Sequence, residues 1–393
     1  MPAVPALGAV RFALRDASRP LLVVGPSLGT SVQALWGDAI ELLTDELDVV
    51  GWDLPGHGSS PTLDGPGECA GLTIADLAGA VLDVAEQAQA DRGDQGATFW
   101  YAGVSAGGAV GLQLLLDAPG RVQGAALLCT GAELGPAQGW HERADLVAVA
   151  GTPTQVTGSA QRWFAPGFIE RRPEVVTRLL AALQVTDRFG YAAVCRALAA
   201  FDVRDRLGEI AAPVLAVAGR HDVPTPVASL EAIVAGVQRG TLTVLDDVAH
   251  LAPAEAPAAV AEILRGFLSG RTHDKGMAVR RAVLGDAHVD RAVERTTAFT
   301  ADFQDLITRY AWGEIWTRPG LDRRMRSAVT LTALVAGHHW DELAMHVRAA
   351  RRNGLSVDEI REVLLQTAVY CSVPSANHAF AVASAVLSED GEI

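Results

Sequence analysis

Three residue types that together take a proton off an oxygen occur in this chain in a telling order. Ser105 sits in Gly103-Val-Ser105-Ala-Gly107, Asp222 closes Gly219-Arg-His-Asp222, and His250 lies in Ala249-His250-Leu251. A serine hydroxyl is a weak nucleophile until a neighbouring base removes its proton. An imidazole does this when a carboxylate fixes its tautomer and stabilises its charge. Ser105 is therefore expected as nucleophile, His250 as base and Asp222 as the orienting acid. Asp246 and Asp247 compete for the acid's role but lie on the histidine's own strand. His221 falls on the wrong side of the order and reads as structural, as does His57 in Asp53-Leu-Pro-Gly56-His57-Gly58-Ser59, whose glycines suit tight turns. The negative charge that develops on a reacting carbonyl needs two backbone donors. Ala106, directly after the serine, is one. In Gly25-Pro-Ser27-Leu28-Gly29-Thr30 the other is Ser27, with Leu28 in reserve, because Pro26 has no N–H.

A second group lies far downstream. His339, Glu342 and His346 are spaced i, i+3 and i+7, which places them on one helix face. That spacing serves acid–base work, suits a metal ion, and also fits a solvated polar face.

These side chains need a scaffold. Up to about residue 269, short apolar runs at 21–24, 47–52, 98–102, 124–128, 214–218 and 242–245 read as buried strands bounded by Gly or Pro. Helical patterns such as 74–90 and 109–117 fall between them, so a parallel sheet covered on both faces is expected. Ser105 then sits on a sharp strand-to-helix turn, where small neighbours let the chain close and free helix N–H groups face the reacting oxygen. Residues 131–207 lose the strand signal and read as a helical cap over the end of the sheet. Residues 270–276 (GRTHDKG) suit a flexible linker. From 277 to 393 the pattern is helical throughout, with helices expected at 289–301, 302–316, 323–336, 341–353, 357–370 and 375–387. Asn353-Gly354 closes one of them, and Ser356 with Glu359 opens the next as a capping box.

Composition narrows the function. With 393 residues, two domains are the natural reading. A net charge of -14 argues against nucleic acid, although a pocket can be locally basic on an acidic protein. The first sixteen residues lack a basic segment followed by an apolar core, so no secretory signal is expected. No apolar run is long enough to span a bilayer. Cys69, Cys129, Cys195 and Cys371 lie far apart without ligand-like spacing. Reduced thiols in the cytoplasm are expected, with no structural zinc.

Two resemblances add specificity. The motifs Ser27-Leu-Gly-Thr30, Asp53 to Ser59, Gly103-Val-Ser-Ala-Gly-Gly108, Gly219 to Asp222 and Val248-Ala-His250 resemble those of the 3-oxoadipate enol-lactonases, members of the α/β-hydrolase fold. Trp140-His-Glu-Arg143 and Arg162-Trp163-Phe164 look like cap segments of that family. The resemblance makes Trp140, Arg143 and Arg162 candidates for binding substrate. Ala106 stands where the family often has Met, and Pro26 precedes Ser27, but neither removes a required group. Residues 276–387 are similar to the 4-carboxymuconolactone decarboxylases, on Leu284-Gly-Asp-Ala-His-Val-Asp290, Tyr310 to Leu321, Gly337 to His346 and Tyr370 to Asn377.

The resemblance implies an all-α carboxymuconolactone decarboxylase-like domain that follows the capped hydrolase. It also implies a fusion of consecutive steps in protocatechuate breakdown: loss of CO2 from 4-carboxymuconolactone, then opening of the enol-lactone to 3-oxoadipate. No cofactor is implied, because the conjugated lactone is its own electron sink. Glu342 would orient one imidazole of His339 and His346 while the other donates a proton. Related peroxidases carry a cysteine pair where His339 and Glu342 stand, so peroxidase chemistry is not expected. Arg318, Arg323, Arg324 and Arg326 are candidates for holding carboxylates. Cys371 could contribute, although its apolar helix favours a place in the core. Tyr310, Trp312 and Trp316 read as core or subunit contacts, and a homo-oligomer acting on small anionic lactones is expected. The competing reading keeps a hydrolase of simple esters or peroxy-acids and gives the helical part to assembly alone.

Overall fold

The structure, a computed structural model, describes residues 6–12, 16–318 and 320–393, and for 269–272 and 274 the backbone alone. The chain divides into two compact units, Met1–Arg265 and Gly266–Ile393.

The first unit is built on a seven-stranded sheet: β1 (Ala9–Arg11), β2 (Leu21–Gly25), β3 (Asp48–Trp52), β4 (Phe99–Val104), β5 (Val122–Leu128), β6 (Val214–Gly219) and β7 (Gly240–Leu245). Their order in space is β1-β3-β2-β4-β5-β6-β7. Only β1 runs antiparallel, against β3. Every residue of β2, β3, β4 and β6 is buried, which is why these strands read as unbroken apolar runs. β1 was not legible, because it is a three-residue edge strand that stays partly exposed.

The chain leaves β2 for β3 on one side and returns to β4 on the other. This reversal opens a crevice at the carboxyl ends of β2 and β4, where the backbone register pairs Gly25 with Gly103. Between β5 and β6 the helices Ala137–Ala150, Val156–Trp163, Phe168–Arg171, Pro173–Val185 and Arg188–Ala199 make up the cap.

The helix Pro257–Leu284 carries the chain from the first unit into the second. It includes residues 270–276, so this stretch is a helix and not the flexible linker expected from its composition. Gly276 explains the misreading. A Cβ there would lie 2.0 Å from the Thr308 carbonyl oxygen, so the glycine serves close packing rather than flexibility.

The second unit continues with Asp286–Glu294, Ala301–Ile307, a π-helical stretch Thr308–Ile315, then Arg323–Ala336, Trp340–Arg352, Val357–Tyr370 and Val373–Glu389. The helix expected at 289–301 starts earlier, after Gly285 at φ +87°, and stops at Glu294. Ser356 and Glu359 form the capping box, and Gly354 at φ +96° ends the preceding helix. Leu331, Val335, Leu343, Val347, Ile360, Leu364 and Ala379 form its main core, and a smaller cluster joins Val283, Leu284, Val289, Trp312 and Ala349.

Candidate active sites

In the first unit the turn at Ser105 is under backbone strain. Its φ of 55° and ψ of −113° lie outside the comfortable regions for a residue with a side chain. The surroundings enforce this. A Cβ on Gly103 would lie 2.3 Å from the Gly107 carbonyl oxygen, and one on Gly107 would lie 2.6 Å from that of Pro26. The Gly107 N–H donates to the Pro26 carbonyl at 2.9 Å, and the buried Tyr101 hydroxyl donates to the Gly107 carbonyl at 2.7 Å. The strain lifts the serine out of the helix that starts at Ala106.

Asp222 and His250 meet at the ends of β6 and β7. The His250 Nδ1 lies 3.0 and 2.9 Å from the two Asp222 carboxylate oxygens, and both side chains are almost fully buried. A carboxylate only accepts, so the proton sits on Nδ1 and Nε2 is left basic. Burial works to raise the Asp222 pKa. The His250 charge and the bonds from His250 and Thr225 outweigh it, and the carboxyl lies below its ordinary value. The Thr225 hydroxyl and N–H donate to the same carboxylate at 2.7 and 3.0 Å. The competing acids fall away: Asp246 is exposed and paired to Arg220 at 3.0 Å, and Asp247 is exposed. His57 is fully buried, donates to the Pro55 carbonyl at 2.8 Å and stacks on Tyr191. Burial brings its pKa down to about 4, so it stays neutral.

Ser105 and His250 open onto one cavity of about 240 Å³, lined also by Ser27 and Leu28. The Ser27 N–H, expected as the second oxyanion donor, already donates to Thr30 Oγ1 at 3.2 Å, and the Thr30 hydroxyl returns a bond to the Ser27 carbonyl at 2.8 Å. That closed turn takes Ser27 out of the role. No acceptor among the described residues takes the N–H of Leu28 or Ala106.

The cap completes the cavity with Trp140, Arg143 and Arg162. The Arg143 guanidinium lies 4.7 Å from the Trp140 ring centroid, and the Trp140 Nε1 donates to the Leu134 carbonyl at 2.5 Å. Burial and then the like charge of Arg143 lower the Arg162 pKa. Neither arginine meets a carboxylate among the described residues. On a chain of net charge -14 this is a locally cationic pocket.

One positioning residue was missed from sequence. Glu255 is half-buried, and its carboxylate accepts N–H bonds from Ala165 at 2.8 Å, Ala249 at 3.0 Å and Leu251 at 3.2 Å. It thereby ties the cap segment after Trp163 to both neighbours of His250, whose own N–H donates to the Trp163 carbonyl at 3.1 Å. Burial is the larger influence on it, and its pKa is raised to about 7. The only signal in the sequence was an acid within the apolar stretch after His250.

The second unit rearranges the group expected there. His339 precedes the helix Trp340–Arg352 as its N-cap, with φ −90° and ψ 77°, and is exposed. His338 just before it adopts φ +57°, so the helix cannot extend back and the face through His339 does not form. Glu342 and His346 remain one helical turn apart. His346 is half-buried, and its pKa falls to about 4 through burial and then His288, opposed by Glu342. His288, which motif reading had not singled out, is thus the neighbour of His346.

Arg326 donates to the Arg318 carbonyl at 2.8 Å, and Arg324 pairs with Glu359. Cys371 packs against the main helical core. The charges acting on His346 come from none of these three. Among the described residues no cluster of His, Cys, Asp and Glu could hold a metal ion. No described helix is long and apolar enough to cross a membrane.

Known proteins divide the chain as the structure does. The family profile described as serine aminopeptidase, S33, matches residues 38–256, and that of the carboxymuconolactone decarboxylase family matches 301–385. The 4-carboxymuconolactone decarboxylase of Acinetobacter baylyi is 44% identical over 30% of this chain and 89% of its own length. Nitrosuccinic acid decarboxylase npaB of Metarhizium robertsii is 43% identical over 31% of this chain and 85% of its own. 3-Oxoadipate enol-lactonase 2 of Acinetobacter baylyi is 37% identical over 62% of this chain and 86% of its own. Among solved structures, the enol-lactonase of Burkholderia xenovorans LB400 aligns at a TM-score of 0.61 and 27% identity, over 67% of this chain and 96% of that one. The sheet-based unit, with its strained serine and paired Asp222 and His250, and the helical unit that follows it make this chain a fusion of an enol-lactonase of the α/β-hydrolase fold with a member of the carboxymuconolactone decarboxylase family.

Proposed function

We propose that this chain is a bifunctional enzyme that decarboxylates 4-carboxymuconolactone and hydrolyses the resulting enol-lactone to 3-oxoadipate. The hydrolase activity belongs to residues 1–269 and the decarboxylase activity to 277–393. The observation that carries the reading is the pairing on one chain of a Ser-His-Asp cavity bearing two arginines that meet no carboxylate among the described residues with a helical unit whose relatives include a decarboxylase of carboxymuconolactone. A neutral ester would leave those arginines without a purpose. An enol-lactone carrying a carboxylate gives them one.

In the hydrolytic step the Ser105 Oγ attacks the lactone carbonyl while the His250 Nε2 takes its proton, and Asp222 stabilises the imidazolium. The Leu28 and Ala106 N–H groups receive the oxyanion. The ring C–O bond then breaks, His250 returns the proton to the departing enol oxygen, and water clears the acyl group from Ser105. The variant in which His250 activates water directly differs in one observable: hydroxylamine trapping or mass measurement of stalled enzyme finds an acyl group on Ser105 only in the covalent route.

In the helical unit, loss of CO2 leaves an electron pair delocalised into the lactone. To Glu342, His346 and His288 we assign the management of the proton. The chain needs no cofactor for either step. We also propose a cytoplasmic homo-oligomer. Phe303, Leu306 and Tyr310 recur at helical spacing and Phe299 lies in the turn just before them; all are at least half exposed, apolar surface that subunit contact would cover. Supplying 4-carboxymuconolactone and following both CO2 and 3-oxoadipate tests the whole reading. CO2 without 3-oxoadipate removes the lactonase half, and turnover of nitrosuccinate in preference to the lactone redirects the other.

A further inference from the structure

Arg280 lies on the helix Pro257–Leu284 within the helical unit, and it is 6 % exposed. A buried guanidinium is costly unless a carboxylate meets it. Arg92, whose side chain is equally hidden in the other unit, is met by Asp48 at 3.3 Å and Asp94 at 3.0 Å. Arg281, the next residue along, pairs with Asp290 at 2.7 Å and Asp286 at 3.3 Å. No acid among the described residues meets Arg280. Burial alone lowers its pKa, with no carboxylate acting to hold it up.

Its neighbours are neutral. Nη1 donates to Gln304 Oε1 and Thr308 Oγ1, both at 3.2 Å, and Nη2 donates to the same Gln304 oxygen at 3.2 Å. Nε has no acceptor among the described residues. The planar group is therefore oriented but not neutralised. Its field reaches His288, on which Arg291 and Arg352 also act, and His288 in turn acts on His346. Val279 and Val283 near it, Val289 beside His288 and Met345 beside His346 pack into the same small core cluster, so a cation that meets no acid among the described residues and two imidazoles lie on elements packed together.

We propose that Arg280 holds a substrate carboxylate in the decarboxylase site, and that the carboxylate held is the one retained in the product. This rests on the decarboxylase reading above. The choice between carboxylates follows from the reaction. The departing group becomes neutral CO2, so a cation bound to it would stabilise the ground state and lose its partner on the way to the transition state. A cation on the retained carboxylate binds both states alike and anchors the molecule without raising the barrier. 4-Carboxymuconolactone and nitrosuccinic acid share a succinate frame, with one carboxylate lost and one kept. A guanidinium with a free edge suits the kept one.

The test uses the full-length chain with Arg280→Gln and Arg280→Lys. Steady-state decarboxylation is expected to show KM raised by roughly 10- to 100-fold in Arg280→Gln with kcat nearly unchanged, and a smaller rise in Arg280→Lys. Calorimetric titration with succinate is expected to give a binding component that disappears in Arg280→Gln and persists in Arg162→Gln. An unchanged KM, a collapse of kcat at unaltered KM, or succinate binding indifferent to Arg280→Gln overturns the proposal. Should Arg280→Gln not fold, absence of succinate binding to the wild-type chain, or full retention of KM in Arg280→Lys with succinate binding lost, overturns it equally. A chain that decarboxylates no lactone refutes the function, while the succinate titration still judges Arg280.

Discussion

Replacing Arg162 with Gln separates an enzyme built for anionic lactones from a general esterase. Arg162 is half-buried, lines the cavity of Ser105 and His250, meets no carboxylate among the described residues, and feels the like charge of Arg143 and, opposing it, the Tyr191 hydroxyl. A hydrogen bond between charged groups contributes about 1.5–3 kcal/mol. Coulomb's law at 4 Å and an effective dielectric of 20 sets an upper figure of about 4 kcal/mol, which the open mouth of the cavity reduces. At about 1.4 kcal/mol per factor of ten, Arg162→Gln should lower kcat/KM for the enol-lactone by roughly 10- to 100-fold, mostly through KM. Arg143 remains and limits the loss. A neutral ester such as p-nitrophenyl acetate makes no use of the charge, so its kcat/KM should move by less than about threefold. The wild-type KM for the lactone should also climb with salt, and the variant's should climb less. The thermal midpoint should hold or rise, since a repulsive neighbour is removed. An equal fall for both substrates, or no fall for either, would refute the assignment of these arginines to a substrate carboxylate.

The other predictions concern catalysis, pH and packing. Asp222→Asn keeps the shape of the Asp222–His250 contact but removes the charge, and kcat for lactone opening at neutral pH should fall by about 10⁴-fold; a loss under tenfold would give the orienting role to another group. Glu255 has its pKa raised from 4.5 to about 7, so between those values the folded state holds a proton that the unfolded state has released. Stability should therefore decline as pH rises through that window, by up to about 3 kcal/mol, and Glu255→Gln should flatten the decline in denaturant titrations at several pH values. Gly276→Ala drives a methyl group into the Thr308 carbonyl and should destabilise the helical unit by about 1–3 kcal/mol; an unchanged unfolding midpoint for that unit would contradict the close approach.

Much of the sheet was legible because a strand covered on both faces must be apolar along its whole length, as β2 and β4 are. The turn at Ser105 and the pairing of Asp222 with His250 were legible because a strained turn tolerates few residues around it and because the acid and the imidazole follow in chain order. What escaped notice depended on partners that no motif encodes. Glu255 works through backbone N–H groups. Arg280 matters because of a carboxylate it lacks. Ser27 and Leu28 differ only in which N–H a neighbouring Thr30 occupies. The left-handed His338 stops the helix at His339, which no spacing in the sequence marks, and Gly276 reads as flexibility where it is contact.

The pairing of Gly25 with Gly103 in the ladder has a consequence for how such an enzyme can change. The loop after β2 and the turn at Ser105 ride on adjacent strands, so their spacing is inherited from main-chain geometry and tolerates drift in the side chains around it. The two arginines that line the cavity, to which the proposed function gives the choice of substrate, arrive on a single excursion of the chain between β5 and β6. Under the proposed function, reaction type and substrate choice occupy separable stretches of the gene, and exchanging one contiguous segment would give the same chemistry a new clientele without disturbing the strand register.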